Sequence, residues 1–448
     1  MNPDKLITDA RNILQAGLNS VDPFNLIMGQ IERRNNTLRF SNDLQLDLNA
    51  YQRIFVCGAG KGVAPMARAM EALLGNHLFD GQVVVKYGHL DKLQKIHLHE
   101  AAHPVPDKNT IIATRSILEA LKNLTDTDLV FFLLTGGGSA LLEDLPEMIS
   151  LDDLQLLSKI LLECGANIHE INCIRKHISR VKGGQLARHI YPARVVTLAL
   201  SDVIGDNLSV IASGPTSPDP SSFEEAWAII KKYEVSDRIP ESVRDYLNAG
   251  RDGRQPETPK PGDEIFARVS NIVIGSNRLA LSTAEKCAQE KGYNTLVLSS
   301  MIEGEAKELA SFLSAIMHEI NQTDRPVAKP ACLLVGGEPT VRIIGDGKGG
   351  RNQELCLALV LKEMKFPFVF ISCGSDGTDG PTDAAGAMVT DQTIKHAREL
   401  NLDASAYLNN NDSYHFFEAL GELIKTGPTG TNVMDLIIAL IPVPNSEI

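Results

Sequence analysis

The chain has no C-x-x-C pair. Its seven cysteines (Cys57, Cys164, Cys173, Cys287, Cys332, Cys356 and Cys373) are scattered, most of them inside apolar runs, as buried free thiols are. Neither a disulfide framework nor a zinc site is therefore expected. Positive charge is scarce: 43 Lys and Arg stand against 56 Asp and Glu, a formal net charge of -13. That balance argues against nucleic acid or an anionic membrane as a partner. An anionic substrate must then be drawn by a local cluster of cations, not by the global field. No apolar run reaches membrane-spanning length, and the N-terminus lacks a basic-then-apolar signal pattern. The expectation is a cytoplasmic protein. There is no internal repeat and no low-complexity tract.

What is present is a recurring unit. At 448 residues the chain exceeds one ordinary core and predicts two domains. Residues 5–32 carry apolar side chains at helical spacing. After them, short runs rich in valine, isoleucine and leucine each lead at once into Gly, Ser or Asp. Arg53–Cys57 leads into GAGKG, Gln82–Lys86 into YGH, Leu129–Leu134 into TGGGSA and Val195–Leu200 into SDVIGD. Ile272–Ile274 precedes GSN, Leu333–Val335 precedes GGEPT, and Val369–Ser372 precedes CGSDGTDG. Helical stretches lie between most of them; one opens with a capping box at Ser150 and Asp153. Continuous apolar strands alternating with helices predict an α/β protein with largely parallel sheets. Ligands of such sheets sit beyond the carboxyl ends of the strands, where these loops fall. The Gly-, Pro- and charge-rich stretch 249–265 reads as a boundary between domains at 1–250 and 265–448. Asp435–Val443 reads as a last buried strand whose sheet is left open.

Several loops could carry chemistry. Gly345–Gly350 runs through Arg351 into an apolar helix; its glycines permit close approach and its helix start suits an anion. A Gly-rich hairpin followed by a solvated arginine is the plainer alternative. In GAGKG, Gly60 and Lys61 follow a strand and precede a helix, but the third glycine of a dinucleotide fingerprint is replaced by Val63. A Walker A loop also fails, since Gly62 follows Lys61. An anion explains a lysine at a helix start, where the dipole disfavours it. Gly136, Gly137, Gly138 and Ser139 form a second set of backbone donors, read as anion-binding rather than hydrolytic because G-x-S-x-G is absent. The run Arg175–Lys182 holds four cations in eight residues and reads as a solvated basic face or a ligand-facing one. Ser201, Asp202 and Asp206 lie in one acidic loop, Asp376 and Asp379 in another; they suit Mg²⁺ or the acceptance of a hydroxyl proton, although Asp is also a common turn former. His103 is left without a role.

In this order the motifs resemble the glycerate 2-kinase family that carries a C-terminal MOFRL domain. The resemblance rests on GAGKGVAPMA, VVKYGH, HPVPD, TGGGSALLE, RKHISRVKGGQLA, SDVIGDNLSVIASGPTSPD, GEPTV, GKGGRNQE, SCGSDGTDGPTDAAGA and TGPTGTNVMDL. It spans nearly the whole chain; one departure is Ala102 before HPVPD, where the family usually has glycine. It implies ATP-dependent phosphorylation of D-glycerate at the 2-hydroxyl, with a divalent cation, Mg²⁺. It also implies a Rossmann-like N-terminal domain with a mainly parallel sheet and a smaller C-terminal α/β domain, the MOFRL region lying at about 330–440. The implied active-site cleft lies between them. The family's catalytic lysine falls on Lys61 and its arginine on Arg351, expected to face each other. Gly60, Gly136–Ser139, Arg175, Lys182, Ser201 and Asp202 are the expected substrate or phosphate contacts, and Asp206 and Asp376 the metal ligands. Two rivals are an NAD(P)-dependent hydroxypyruvate reductase and a non-catalytic sugar-acid binding protein. The sequence allows a homodimer without specifying one.

Overall fold

The computed structural model describes residues 3–443. They form two compact units: Pro23–Ile274, and the residues from Gly275 onward together with the opening segment up to Asp22. The main sheet of the first unit has six strands: β1 (Arg53–Ala59), β2 (Leu78–Lys86), β3 (Ile96–Ala101), β4 (Asp128–Leu134), β5 (Arg194–Leu200) and β6 (Val269–Gly275). Their order across the sheet is β3-β2-β1-β4-β5-β6, and β1 to β5 pair in parallel. This is the doubly wound dinucleotide-binding order, expected from the alternation of apolar runs with helices. The β4 strand is buried along its whole length, as helices on both faces require. Sequence-readable caps fix helix starts: Ser150 Oγ accepts from Asp153 N while Asp153 Oδ2 accepts from Ser150 N, opening the helix Leu151–Glu163.

The stretch 249–265, expected to be a boundary, lies inside this unit. It runs from the end of the helix Glu241–Arg251 through a loop to a short 3-10 turn, Glu264–Arg268, and its own polar groups tie it down: Thr258 Oγ1 donates to buried Asp219 at 3.0 Å, and the Pro259 carbonyl accepts from Asp219 N at 2.9 Å. It leads into β6, so the first sheet continues beyond it. Loop composition reports exposure and turns, which surface loops and linkers share. A small antiparallel sheet of Ile31–Arg34, Thr37–Phe40 and Gln45–Asp47 precedes β1.

The second unit holds β7 (Asn294–Ile302), β8 (Ala331–Gly337), β9 (Val369–Gly374), β10 (Gly386–Thr390), β11 (Leu423–Ile424) and β12 (Asp435–Ile441), in the order β7-β8-β12-β9-β10-β11. Only β7 and β8 run parallel; the four other pairings are antiparallel. The expectation of largely parallel sheets fails here. Apolar runs report burial on both faces, and β12, fully buried at the centre of the sheet, meets that condition without fixing strand direction. The helix Pro3–Asn19 joins this unit, not the first. Its buried stripe of Leu6, Ala10, Ile13, Leu14, Gly17 and Leu18 meets the helix Asn277–Glu290, with Gly17 permitting an approach in which a Cβ would lie 3.2 Å from the Ala280 carbonyl. Tyr293 donates to its Asp9 at 3.1 Å. Among the described residues no helix is long and apolar enough to cross a membrane.

Candidate active site

In the first unit the winding direction reverses between β1 and β4, and the loops that leave their carboxyl ends lie where doubly wound sheets bind ligands. Those loops are GAGKG and TGGGS. They are knitted together: Lys61 N donates to Gly136 O at 2.8 Å, and Gly62 N to Thr135 Oγ1 at 2.9 Å. Gly60 has φ +149°, and a Cβ there would stand 2.1 Å from Thr135 Oγ1. Gly137, at φ +83°, is left-handed; a Cβ on it would come within 2.9 Å of the His103 ring and 3.2 Å of Lys61 Cγ. The lysine stem, the histidine ring and the glycine turn therefore converge. Among the described residues the N–H groups of Gly136 and Gly137 have no backbone acceptor, which leaves two donors next to the lysine loop. His89 Nδ1 holds the Lys61 carbonyl at 3.0 Å. His103 had no assigned role, and only the fold brings it here.

Behind this cradle lies a polar layer. Ser139 Oγ is 2.9 Å from Ser213 Oγ, which donates to Asn172 Oδ1 at 2.9 Å. Ala212 and Ser213 have φ of +50° and +60°, a strained left-handed turn of the kind held in place at functional sites. Gly138 packs on it, since a Cβ would lie 2.9 Å from that of Ala212. Arg175 Nη2 donates to Ser139 O at 3.3 Å, and its Nε is buried with no partner. Burial favours the neutral guanidine and Glu143 opposes it; the Arg175 pKa is lowered.

Of the rest of the basic run only Arg180 is exposed, paired with Asp144 at 3.4 Å; Lys176, His177 and Lys182 are buried. Lys182 is fully buried; its ammonium donates to Leu142 O at 2.5 Å and is ion-paired with Glu143 Oε2 at 2.8 Å. Burial pushes its ammonium down to about 8 against the pull of Glu143. It is an internal ion pair, so the expected substrate contact at Lys182 has no surface to act from. Lys176 pairs with buried Asp219 at 3.4 Å. His177 donates to Cys173 O at 2.7 Å and faces Glu257 at 3.2 Å. On the loop after β5, Ser201 is buried and its hydroxyl bonds the Val203 backbone, while Asp202 and Asp206 are partly exposed.

In the second unit Arg351 is the first residue of the helix Arg351–Val360. The helix start is not open to an anion. Asp379, buried, accepts from Asn352 N at 3.1 Å and Gln353 N at 2.9 Å, so a carboxylate of the chain already fills the place. Burial raises the Asp379 pKa although four hydrogen bonds oppose it. The loop glycines face inward as well: a Cβ on Gly347, Gly349 or Gly350 would lie 2.4 Å from Asp412 Cβ, 2.2 Å from Ser413 Oγ or 2.3 Å from Asp379 Cγ. None of the three has a positive φ. Arg351 is itself engaged: Nε and Nη2 donate to Asp435 at 2.6 and 3.0 Å, and Nη1 to Glu338 at 2.8 Å. Burial alone would favour the neutral guanidine, but Asp435, Glu338 and Asp379 outweigh it and raise its pKa. Three of its five N–H groups are thus used. Asp376 accepts from Thr378 N and Oγ1 at 3.0 and 2.9 Å, a turn-forming role. Asp435 and Glu338 were not among the expected residues; the signal available for Asp435 was a single acid heading the otherwise apolar run DLIIALI.

A family model described as a domain of unknown function (DUF4147) matches residues 9–248, and one described as the MOFRL family matches residues 331–435. The chain is 40% identical over 429 residues to a glycerate 2-kinase of Pyrococcus horikoshii, covering 95% of this chain and 94% of that one. It is 41% identical over 392 residues, 87% of each chain, to an Agrobacterium vitis protein named a putative hydroxypyruvate reductase. A crystal structure of a glycerate kinase from Thermotoga maritima superposes with a TM-score of 0.87 at 40% identity, over 98% of this chain and 100% of that one.

Proposed function

The chain belongs to the MOFRL-domain glycerate 2-kinase family, and from that premise we propose that it transfers the γ-phosphoryl group of ATP to the 2-hydroxyl of D-glycerate, giving 2-phosphoglycerate and ADP. The observation that carries the reading is likeness along almost the entire chain to proteins named for this activity. The cradle at the switch point of the first unit supports it. We take the two compact units as the two domains of the family fold, residues 23–274 forming the N-terminal one.

Phosphoryl transfer through a loose transition state needs positioning and charge neutralisation more than covalent chemistry. Lys61 and the N–H groups of Gly136 and Gly137 are suited to phosphoryl oxygens, with Gly60, Gly138 and Ser139 shaping the turn and Arg175 bracing it from behind. Arg351 has two N–H groups left over, which a carboxylate or phosphate would suit. Asp202, on the loop after β5 beside buried Ser201, and Asp206 are the candidate acceptors for the proton of the 2-hydroxyl.

Among the described residues no group of three or more His, Cys, Asp or Glu side chains is arranged to hold a metal. Asp206 or Asp376 would supply a carboxylate to an ion carried on the ATP phosphates. Bound so, it would neutralise charge on the β- and γ-phosphates.

The Agrobacterium relative's name favours a second reading, nicotinamide-dependent reduction of hydroxypyruvate. Against it, Val63 replaces the third fingerprint glycine and Lys86 ends β2, where the ribose-binding acid of an NAD site belongs. The test is paired. ATP and D-glycerate should release ADP, and hydroxypyruvate with NADH or NADPH should leave the absorbance unchanged. Nucleotide oxidation without ADP release would reverse the assignment.

A further inference from the structure

The contact between Arg351 and Asp435 differs in kind from the other ion pairs around the glycine loop. Asp435 is fully buried at the first position of β12. Its cross-strand neighbours on the two sides are Gly337 of β8 and Gly374 of β9, so the sheet carries no side chain beside the carboxylate at that level. Arg351 reaches it from the helix start and binds side-on, Nε to one oxygen and Nη2 to the other. A fork of this kind fixes the plane of the guanidinium as well as its position. Glu338 takes Nη1 from a partly exposed place, its side chain 44% accessible against 0% for Asp435.

A buried ion pair is a poor way to stabilise a strand. Desolvating the two charges offsets most of their attraction, and apolar side chains of similar size commonly do as well. Elsewhere β12 is wholly apolar, Leu436–Ile441. The carboxylate is better explained by what it does to the arginine. With the Nε–Nη2 side occupied, the guanidinium can offer only its Nη1–Nη2 end to anything else, in a direction set by the rigid β12 backbone.

We propose that Asp435 is the positioning residue for Arg351, turning the guanidinium so that its Nη1–Nη2 end meets the transferring phosphoryl group or the substrate carboxylate. Glu338 occupies Nη1 until that anion arrives and displaces it. The proposal rests on Arg351 taking part in the reaction, as stated above.

The experiment compares Arg351→Ala, Asp435→Asn and the double variant in steady-state kinetics, with thermal unfolding to confirm that each is folded. Asp435→Asn keeps the shape but presents an amide N–H to the guanidinium; kcat should fall about 10- to 100-fold with little change in the KM values. The double variant should lie within about 2-fold of Arg351→Ala, because two residues acting through one interaction do not add. Added guanidinium ion should restore part of the Arg351→Ala activity when Asp435 is present and none when it is Asn, a dependence that a merely structural carboxylate would not produce. If Asp435→Asn does not fold, Asp435→Glu, which keeps the charge and displaces it by one methylene, takes its place with the same expected loss in kcat. Wild-type turnover in the Asp435 variant beside an impaired Arg351→Ala would overturn the proposal alone. Wild-type turnover in Arg351→Ala would remove the arginine from the reaction, and the proposal with it.

Discussion

Two glycine-rich loops run into helices here, and they use glycine for opposite purposes. In the first unit Gly60 and Gly137 are needed for backbone conformations at positive φ, and the turn they make leaves two N–H groups without a backbone acceptor among the described residues. In the second, Gly347, Gly349 and Gly350 have ordinary backbones and are needed for space. They let the loop lie against Asp412, Ser413 and Asp379, and the helix start behind them is filled by the Asp379 carboxylate. Glycine before a helix announces a close approach by something. Whether that something is a ligand or the chain itself depends on a side chain far off in sequence.

The largest expected effect separates the loops by activity. Lys61→Ala should lower kcat/KM by roughly 100- to 1000-fold without changing the unfolding midpoint, since the proposed role of Lys61 is to donate to the transferring phosphoryl group. A variant that turns over normally would show the first cradle to be as self-contained as the second loop. Next comes Asp379→Ala, which strips two backbone donors of their acceptor. It should destabilise the second unit by roughly 2–4 kcal/mol, read from the denaturant midpoint. An unchanged midpoint would mean that the helix start is, after all, open to ligands.

Alanine in place of glycine sharpens the contrast. Gly349→Ala has to displace Ser413 and should cost roughly 1–3 kcal/mol of stability, with kcat per folded molecule less affected than stability. Gly137→Ala should do the reverse and damage turnover first. If the two substitutions give the same pattern, the two loops do not differ as described.

The smallest effect concerns pH. His177, on the helix that carries Arg175, is held protonated to about 9: burial opposes the charge, but the Cys173 carbonyl and Glu257 outweigh it. A folded pKa above the unfolded value of 6.5 stabilises fully below pH 6.5 and is lost as pH climbs toward 9. The first unit should weaken over that interval by on the order of 1–3 kcal/mol, measured as the unfolding midpoint against pH. His177→Gln should flatten the dependence, and an unaltered slope would show that the imidazole does not support this layer.

The sequence carried the first unit well and the second less well. Apolar runs ending in Gly, Ser or Asp fixed β1, β2, β4 and β5 because parallel strands covered on both faces are apolar throughout. The same signal could not give strand direction in the second sheet, where β12 runs antiparallel to both neighbours. The opening helix was legible as a helix from its apolar spacing, but not which unit its stripe would meet. The turns that hold Lys61 and Thr135–Ser139 after β1 and β4 were legible because φ requirements and helix starts are local properties. Lys182 was misread because a cation-rich run looks the same whether it faces water or a buried Glu143. Asp435 and Asp379 were not seen in their actual roles: each acts on Arg351 or its helix from 84 or 26 residues away, a separation that only the folded sheet closes.

The central claim, transfer to the 2-hydroxyl of glycerate, is tested most directly by phosphorus NMR of the products after incubation with ATP, Mg²⁺ and D-glycerate. The account predicts ADP together with a phosphomonoester resonance whose proton coupling is to the carbon-2 methine. Phosphate on the terminal carbon, or ATP left intact, would contradict it.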